Sequence, residues 1–153
     1  MKRLAFLLVG FFLIITGAFT TLNAQTTIAV SGSLSSQQLY LTWTANGLNA
    51  ETQDTWTGDV EGRGITHIFS SDPFNPETGE INNIVFKFHI FTDEGNMVWD
   101  GLGHSIGPML YTTATLNRGT GIYKDATGTS TSVGVIGPTG IESTYTGTIT
   151  LAD

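Results

Sequence analysis

The segments GTGIYKDATGTST at positions 119–131 and GIESTYTGTITL at Gly140–Leu151 decide the fold. In the first, small residues surround the bulky pair Ile122 and Tyr123. Glycine adopts positive φ without steric cost, so this spacing predicts a tight turn between two strands. In the second, threonines and Glu142 alternate with mostly apolar residues, which is typical of a half-buried strand. We predict that this strand closes an antiparallel sheet.

The same turn carries a resemblance to a known superfamily. Its pattern, G-T-G-I-Y-x-x-A-x-G, resembles the signature of the allene oxide cyclase-like and dirigent-like β-barrels, and the resemblance covers mainly residues 109–153. It implies a small antiparallel barrel and, in the members that are cyclases, an apolar substrate held inside. The N-terminal Glu/Asn/Pro constellation of those cyclases has no counterpart at 37–46, and no Cys is present. Fold similarity alone does not transfer their reaction.

The rest of the chain is rich in Thr, Gly, Ile and aromatics, a composition that favours strands over helices. Turn residues such as Asn46-Gly47 and Gly107-Pro108 separate the alternating segments. The pattern predicts an all-β domain forming a single antiparallel barrel of about eight to nine strands. The predicted strands are 27–32, 37–45, 55–61, 64–70, 82–92, 96–101, 111–118, 129–136 and 141–151.

Alternation also predicts which side chains face inward. On segment 82–92, Ile84, Phe86, Phe88 and Ile90 share one face, which we assign to the core, against Val85, Lys87, His89 and Phe91. On 37–45 it groups Leu39, Leu41 and Trp43, and near 54–62 it groups Trp56, Gly58 and Val60. Inward aromatics would fill a barrel or line a ligand cavity. The candidate ligand-binding residues are Trp56, Phe86, Phe88, His89, Trp99 and Tyr145.

The N-terminus has the pattern of a secretory signal peptide. Lys2 and Arg3 precede an apolar run from Leu4 to Ile15, and Ala24 provides a small residue before a cut. We therefore predict a signal peptide at 1–24, one barrel domain at 25–153, and a secreted or periplasmic location. The alternative is a retained membrane anchor, although the run is short for a spanning helix.

Charge and cysteine content narrow the partners. The net charge of −7 becomes −9 when the two signal-peptide cations are removed. Such an acidic chain matches neither nucleic acid nor an anionic membrane, so we expect no nucleic-acid partner and no membrane partner after signal cleavage. A hydrophobic small molecule and a homo-oligomer stay open as partners. With no Cys, burial and hydrogen bonds alone must hold the fold.

The densest charge on any predicted strand is formed by Asp59, Glu61 and Arg63. On an unbroken strand they share a face, where Arg63 could neutralise one carboxylate while the other keeps a shifted pKa suited to acid–base catalysis. The simpler interpretation is a solvated outer face, favoured by a bulge at Gly62 and Gly64. Two functions follow: a binding or structural barrel, which we prefer, and a cyclase or isomerase acting on a hydrophobic substrate inside the barrel.

No motif in the sequence points to a cofactor or a metal. The separations between His67, His89 and His104 match no compact ligand pattern, and loop 71–79 has too few carboxylates for calcium. There is no nucleophile elbow and no phosphate-binding glycine motif followed by a helix. The sequence therefore predicts no cofactor and no metal site.

Overall fold

Residues 25–152 are described by a computed structural model, and they form one closed antiparallel β-barrel. Each strand pairs with the next along the chain, and a single turn of 3₁₀ helix, η1 (Gly121–Tyr123), lies between the sixth and seventh strands. The strands are β1 (Thr26–Thr44), β2 (Gly47–Gly58), β3 (Gly62–Ser70), β4 (Glu80–Thr92), β5 (Gly95–Ile106), β6 (Met109–Gly119), β7 (Thr127–Ile136) and β8 (Gly140–Leu151). The predicted all-β barrel is confirmed; the predicted signal peptide at 1–24 lies outside the described residues.

β8 closes the barrel against β1, as predicted. The ladder runs from Thr26 opposite Leu151 to Gln37 opposite Gly140. The predicted turn before β7 is also present, between the end of β6 at Gly119 and the start of β7 at Thr127, and within it Gly121 has a φ of 61°. A barrel closed in this way leaves few unpaired edge groups.

The first strand differs from the prediction of two separate strands, 27–32 and 37–45. Both belong to β1, because the intervening serines pair on both sides: Ser33 lies opposite Thr57 of β2 and Thr144 of β8. Small polar residues suggest a turn, but pairing on two sides keeps this segment extended. β2 also begins and ends earlier than the predicted 55–61, so residues 59–61 form the connection to β3.

Alternation correctly placed the core face of β4. Ile84, Phe86, Phe88 and Ile90 are all buried, as is Trp56 of β2. The aromatic rings pack in a continuous cluster, with ring centroids 5.9 Å apart for Phe86 and Phe88 and 5.2 Å apart for Trp56 and Phe88. Offset contacts of this kind add to the stabilisation that comes from burial alone.

The inward prediction for Leu39, Leu41 and Trp43 is wrong as far as burial is concerned, since they are 53%, 48% and 48% exposed. A β-bulge falls at Leu39, between the pairs Gln38 with Thr52 and Tyr40 with Glu51. A bulge shifts the alternation of a strand by one residue, which removes Leu39 from the inner face. Leu41 and Trp43 lie opposite the buried Ala50 and Leu48 and so share the inner face, but they are not covered. Moreover, β8 pairs with β1 only as far as Gln37, so the end of the β1–β2 hairpin projects beyond the wall.

The two ends of the barrel differ. At the closed end, where β1 begins, η1 brings Tyr123 into a buried cluster with Met97 and Ile149. At the open end lie the β1–β2 hairpin and the connections at 71–79, 107–108 and 137–139. Any opening into the interior is therefore at the second end.

Within residues 25–152, no helix is both long enough and apolar enough to cross a membrane.

Candidate functional site

A cavity of about 140 Å³ lies inside the barrel and extends toward the open end. Its rim includes Leu41, Ile136 and Gly137, which are exposed, so the cavity can be reached from solvent. Its surface is mainly apolar, and no charged side chain of the described barrel lines it. Such a lining is typical of sites that bind small apolar molecules.

Four of the six predicted ligand-binding residues line this cavity: Trp56, Phe86, Phe88 and Tyr145. Trp56 and Tyr145 pack with ring centroids 5.1 Å apart, and the Tyr145 hydroxyl accepts a hydrogen bond from the Val60 amide at 3.2 Å. These contacts fix the aromatic floor of the cavity.

The other two, Trp99 and His89, do not line the cavity. Trp99 is buried behind Phe88, with ring centroids 5.8 Å apart. His89 alternates with the inward Phe88 and Ile90, so its side chain is on the outer face of β4, where it is half-buried.

Asp59, Glu61 and Arg63 are all exposed and none lines the cavity. Asp59 Oδ2 accepts hydrogen bonds from the Ser31 amide at 2.8 Å and the Ser31 hydroxyl at 3.0 Å. The ion pairs found in residues 25–152 are His67 with Glu51 and Lys87 with Asp100, so Arg63 is not paired there with either carboxylate. The structure therefore does not bring these three residues together around a substrate inside the barrel.

One carboxyl group, that of Asp54, is hydrogen-bonded to residues of the cavity wall, and the sequence reasoning missed it. Asp54 faces inward on β2 and its exposed fraction is 0%. Thr52 Oγ1 donates a hydrogen bond to its Oδ1 at 2.7 Å, and Thr66 Oγ1 donates one to its Oδ2 at 2.5 Å. Both threonines line the cavity, as does Ser36, the residue opposite Asp54 on β1.

Burial raises the pKa of the Asp54 carboxyl, and the hydroxyls of Thr66, Thr52 and Ser36 act in the opposite direction by hydrogen bonding to it. Neither ion pair of the described residues includes Asp54. A buried carboxylate without a cation is costly, and hydroxyl donors offset only part of that cost. Behind the cavity wall there is therefore a buried carboxyl group that forms no ion pair with a cationic side chain of the described barrel.

Trp56 provides a second polar feature at the same wall. Its Nε1 is buried and has no hydrogen-bond partner in the described residues. A Cβ at Gly64 would lie 3.1 Å from this nitrogen and 3.6 Å from Asp54 Cβ. The missing side chain at Gly64 thus leaves room for the Trp56 indole beside Asp54.

The three histidines are separated on the barrel. His67 Nε2 lies 3.1 Å from Glu51 Oε2 and 3.1 Å from the Tyr40 hydroxyl, while His104 stacks on Tyr111. In the described part of the chain, no group of three or more His, Cys, Asp or Glu residues could hold a metal ion.

Comparison with known proteins adds no relative: no family model, curated protein or solved structure matches the chain.

Proposed function

We propose that this protein is an exported binding module that holds a small apolar molecule in the barrel cavity. The observation that carries the proposal is the cavity itself, with an aromatic floor of Trp56, Phe86, Phe88 and Tyr145 and an exposed rim at one end. The resemblance of the turn at 119–128 to the allene oxide cyclase-like and dirigent-like barrels supports a barrel of this general kind, and we propose that kinship on the motif alone.

The size of the cavity limits the ligand. Its volume of about 140 Å³ is close to that of an engineered apolar cavity of about 150 Å³ that binds benzene or xenon. It is smaller than the roughly 300–1,000 Å³ typical of sites for drug-sized ligands. The ligand is therefore a compact molecule of about one aromatic ring, or a larger one that inserts a single ring or short chain through the open end.

We prefer binding to the cyclase or isomerase alternative. The acid–base residues proposed for that activity, Asp59, Glu61 and Arg63, are exposed and do not line the cavity. Both oxygens of Asp54 already accept hydrogen bonds from threonines of the wall. Neither arrangement presents a carboxyl group directly to a substrate inside the cavity.

Filling the cavity should abolish binding. Ala50 is buried and lines the cavity, so the larger side chain of Ala50→Leu would occupy space that the ligand needs. We expect the wild-type protein to bind toluene saturably in isothermal titration calorimetry and Ala50→Leu to show no binding. Circular dichroism should show that the variant remains folded.

Thr55→Leu is the matched control, because Thr55 is exposed on the outer face of the same strand. It should bind toluene as the wild type does. If toluene does not bind the wild type, or if Ala50→Leu binds it equally well, the cavity is not a ligand site.

Export is the second part of the proposal. Expression of the full chain followed by cell fractionation should give a product outside the cytoplasm whose N-terminal residue, read by sequencing, is Gln25. An uncleaved product in the membrane fraction would favour the anchor alternative instead.

A further inference from the structure

We propose that the ligand is a small apolar amine, bound as an ammonium ion at the hydroxyls of Thr52, Thr66 and Ser36, with Asp54 behind them as the compensating charge. This inference rests on the proposed function, since it names the chemical class that the same cavity would take. It follows from the polar groups at one side of an otherwise apolar wall.

The first step concerns what the hydroxyls offer to a ligand. A threonine hydroxyl has one proton and two acceptor lone pairs. Thr52 and Thr66 both direct that proton to Asp54, at 2.7 Å and 2.5 Å. Toward the cavity, these two hydroxyl oxygens can therefore only accept hydrogen bonds. The site for this reason favours a ligand that donates hydrogen bonds.

The second step concerns charge. Asp54 is fully buried, and neither ion pair found in residues 25–152 involves it. An ammonium group at the hydroxyls would supply the missing positive charge, and hydrogen bonds that involve a charged group are stronger than neutral ones. A neutral donor such as an alcohol would gain the hydrogen bond without the charge compensation.

The third step concerns the rest of the cavity. Aromatic rings attract cations through their negative faces, and Trp56, Phe86 and Phe88 line the same space. They also provide the apolar surface for the body of the ligand. An aromatic or short aliphatic amine therefore matches both parts of the wall.

The experiment compares four probes of similar shape by isothermal titration calorimetry: benzylamine, benzyl alcohol, acetophenone and toluene. A hydrogen bond to a charged group is stronger than one between neutral groups, so benzylamine should bind the wild type at least tenfold more tightly than toluene, a difference of about 1.4 kcal/mol or more. Benzyl alcohol should be intermediate, and acetophenone, which only accepts hydrogen bonds, should gain nothing over toluene.

Asp54→Asn should remove the advantage of benzylamine while toluene still binds. Asp93→Asn is the matched control, because Asp93 is exposed in the β4–β5 turn at the closed end, and its affinities should equal those of the wild type. If Asp54→Asn does not fold, Thr66→Val removes one acceptor and should reduce the preference in the same direction.

Equal affinities for benzylamine and toluene in the wild type would overturn the inference and leave the apolar binding function standing. So would a benzylamine preference that survives in Asp54→Asn. If none of the four probes binds, the proposed binding function fails, and the inference fails with it.

Discussion

Replacing Phe88 with alanine is expected to lower the free energy of unfolding by about 3–5 kcal/mol, the range typical of a large aromatic removed from a core. Phe88 is 6% exposed and packs against three other rings, those of Trp56, Phe86 and Trp99. Its removal would leave a cavity, and the rigid indole rings that border it have little freedom to move into the empty space. Urea denaturation followed by tryptophan fluorescence measures the change.

The control is Phe91→Ala, on the outer face of the same strand. Phe91 is 46% exposed, so the same truncation should cost no more than about 1 kcal/mol, as most surface substitutions do. Equal losses for the two variants would mean that the aromatic cluster is not the centre of the core.

Gly121→Val is the second substitution with a large expected effect. Gly121 has a φ of 61°, which a β-branched residue adopts only with strain of about 1–3 kcal/mol. A Cβ would also lie 2.0 Å from the Glu94 carbonyl oxygen. The turn that carries η1 would have to move away from β5, and the melting temperature should fall sharply.

Gly107→Val separates the effect of backbone strain from the effect of the steric clash. Gly107 has a φ of 56°, but a Cβ there would meet no atom within 4 Å. It should therefore show the backbone strain without the steric clash and lose less stability than Gly121→Val in the same thermal melt. An unchanged melting temperature for Gly121→Val would contradict the turn assignment.

Much of this fold could be predicted from the sequence because its strongest patterns are local. Four inward apolar residues on β4 and the alternation on β8 identify the faces of those strands without any knowledge of their neighbours. The glycine spacing at 119–121 likewise reflects a local backbone requirement. At these positions, the period of two and the choice of turn residues are sufficient to predict the local structure.

The errors concern features that depend on pairing between strands. The serines of β1 suggest a turn until β2 and β8 both pair with them, and the bulge at Leu39 is visible only in the register. Asp54 was missed because aspartate is seldom buried. Its hydroxyl partners come from three strands, Ser36 on β1, Thr52 on β2 and Thr66 on β3, and meet only once the register is set.

The ladder between β1 and β8 joins the strands that are farthest apart along the chain. Every other ladder joins strands that follow each other along the chain and can form as a local hairpin. The closing ladder joins Thr26 to Leu151, so its loop entropy must be overcome across almost the whole domain. We therefore expect an open, curved sheet to precede the barrel during folding.

The same ladder holds the two ends of the domain side by side, so a short peptide could join them. New termini could then be opened at a surface turn without rearranging any strand.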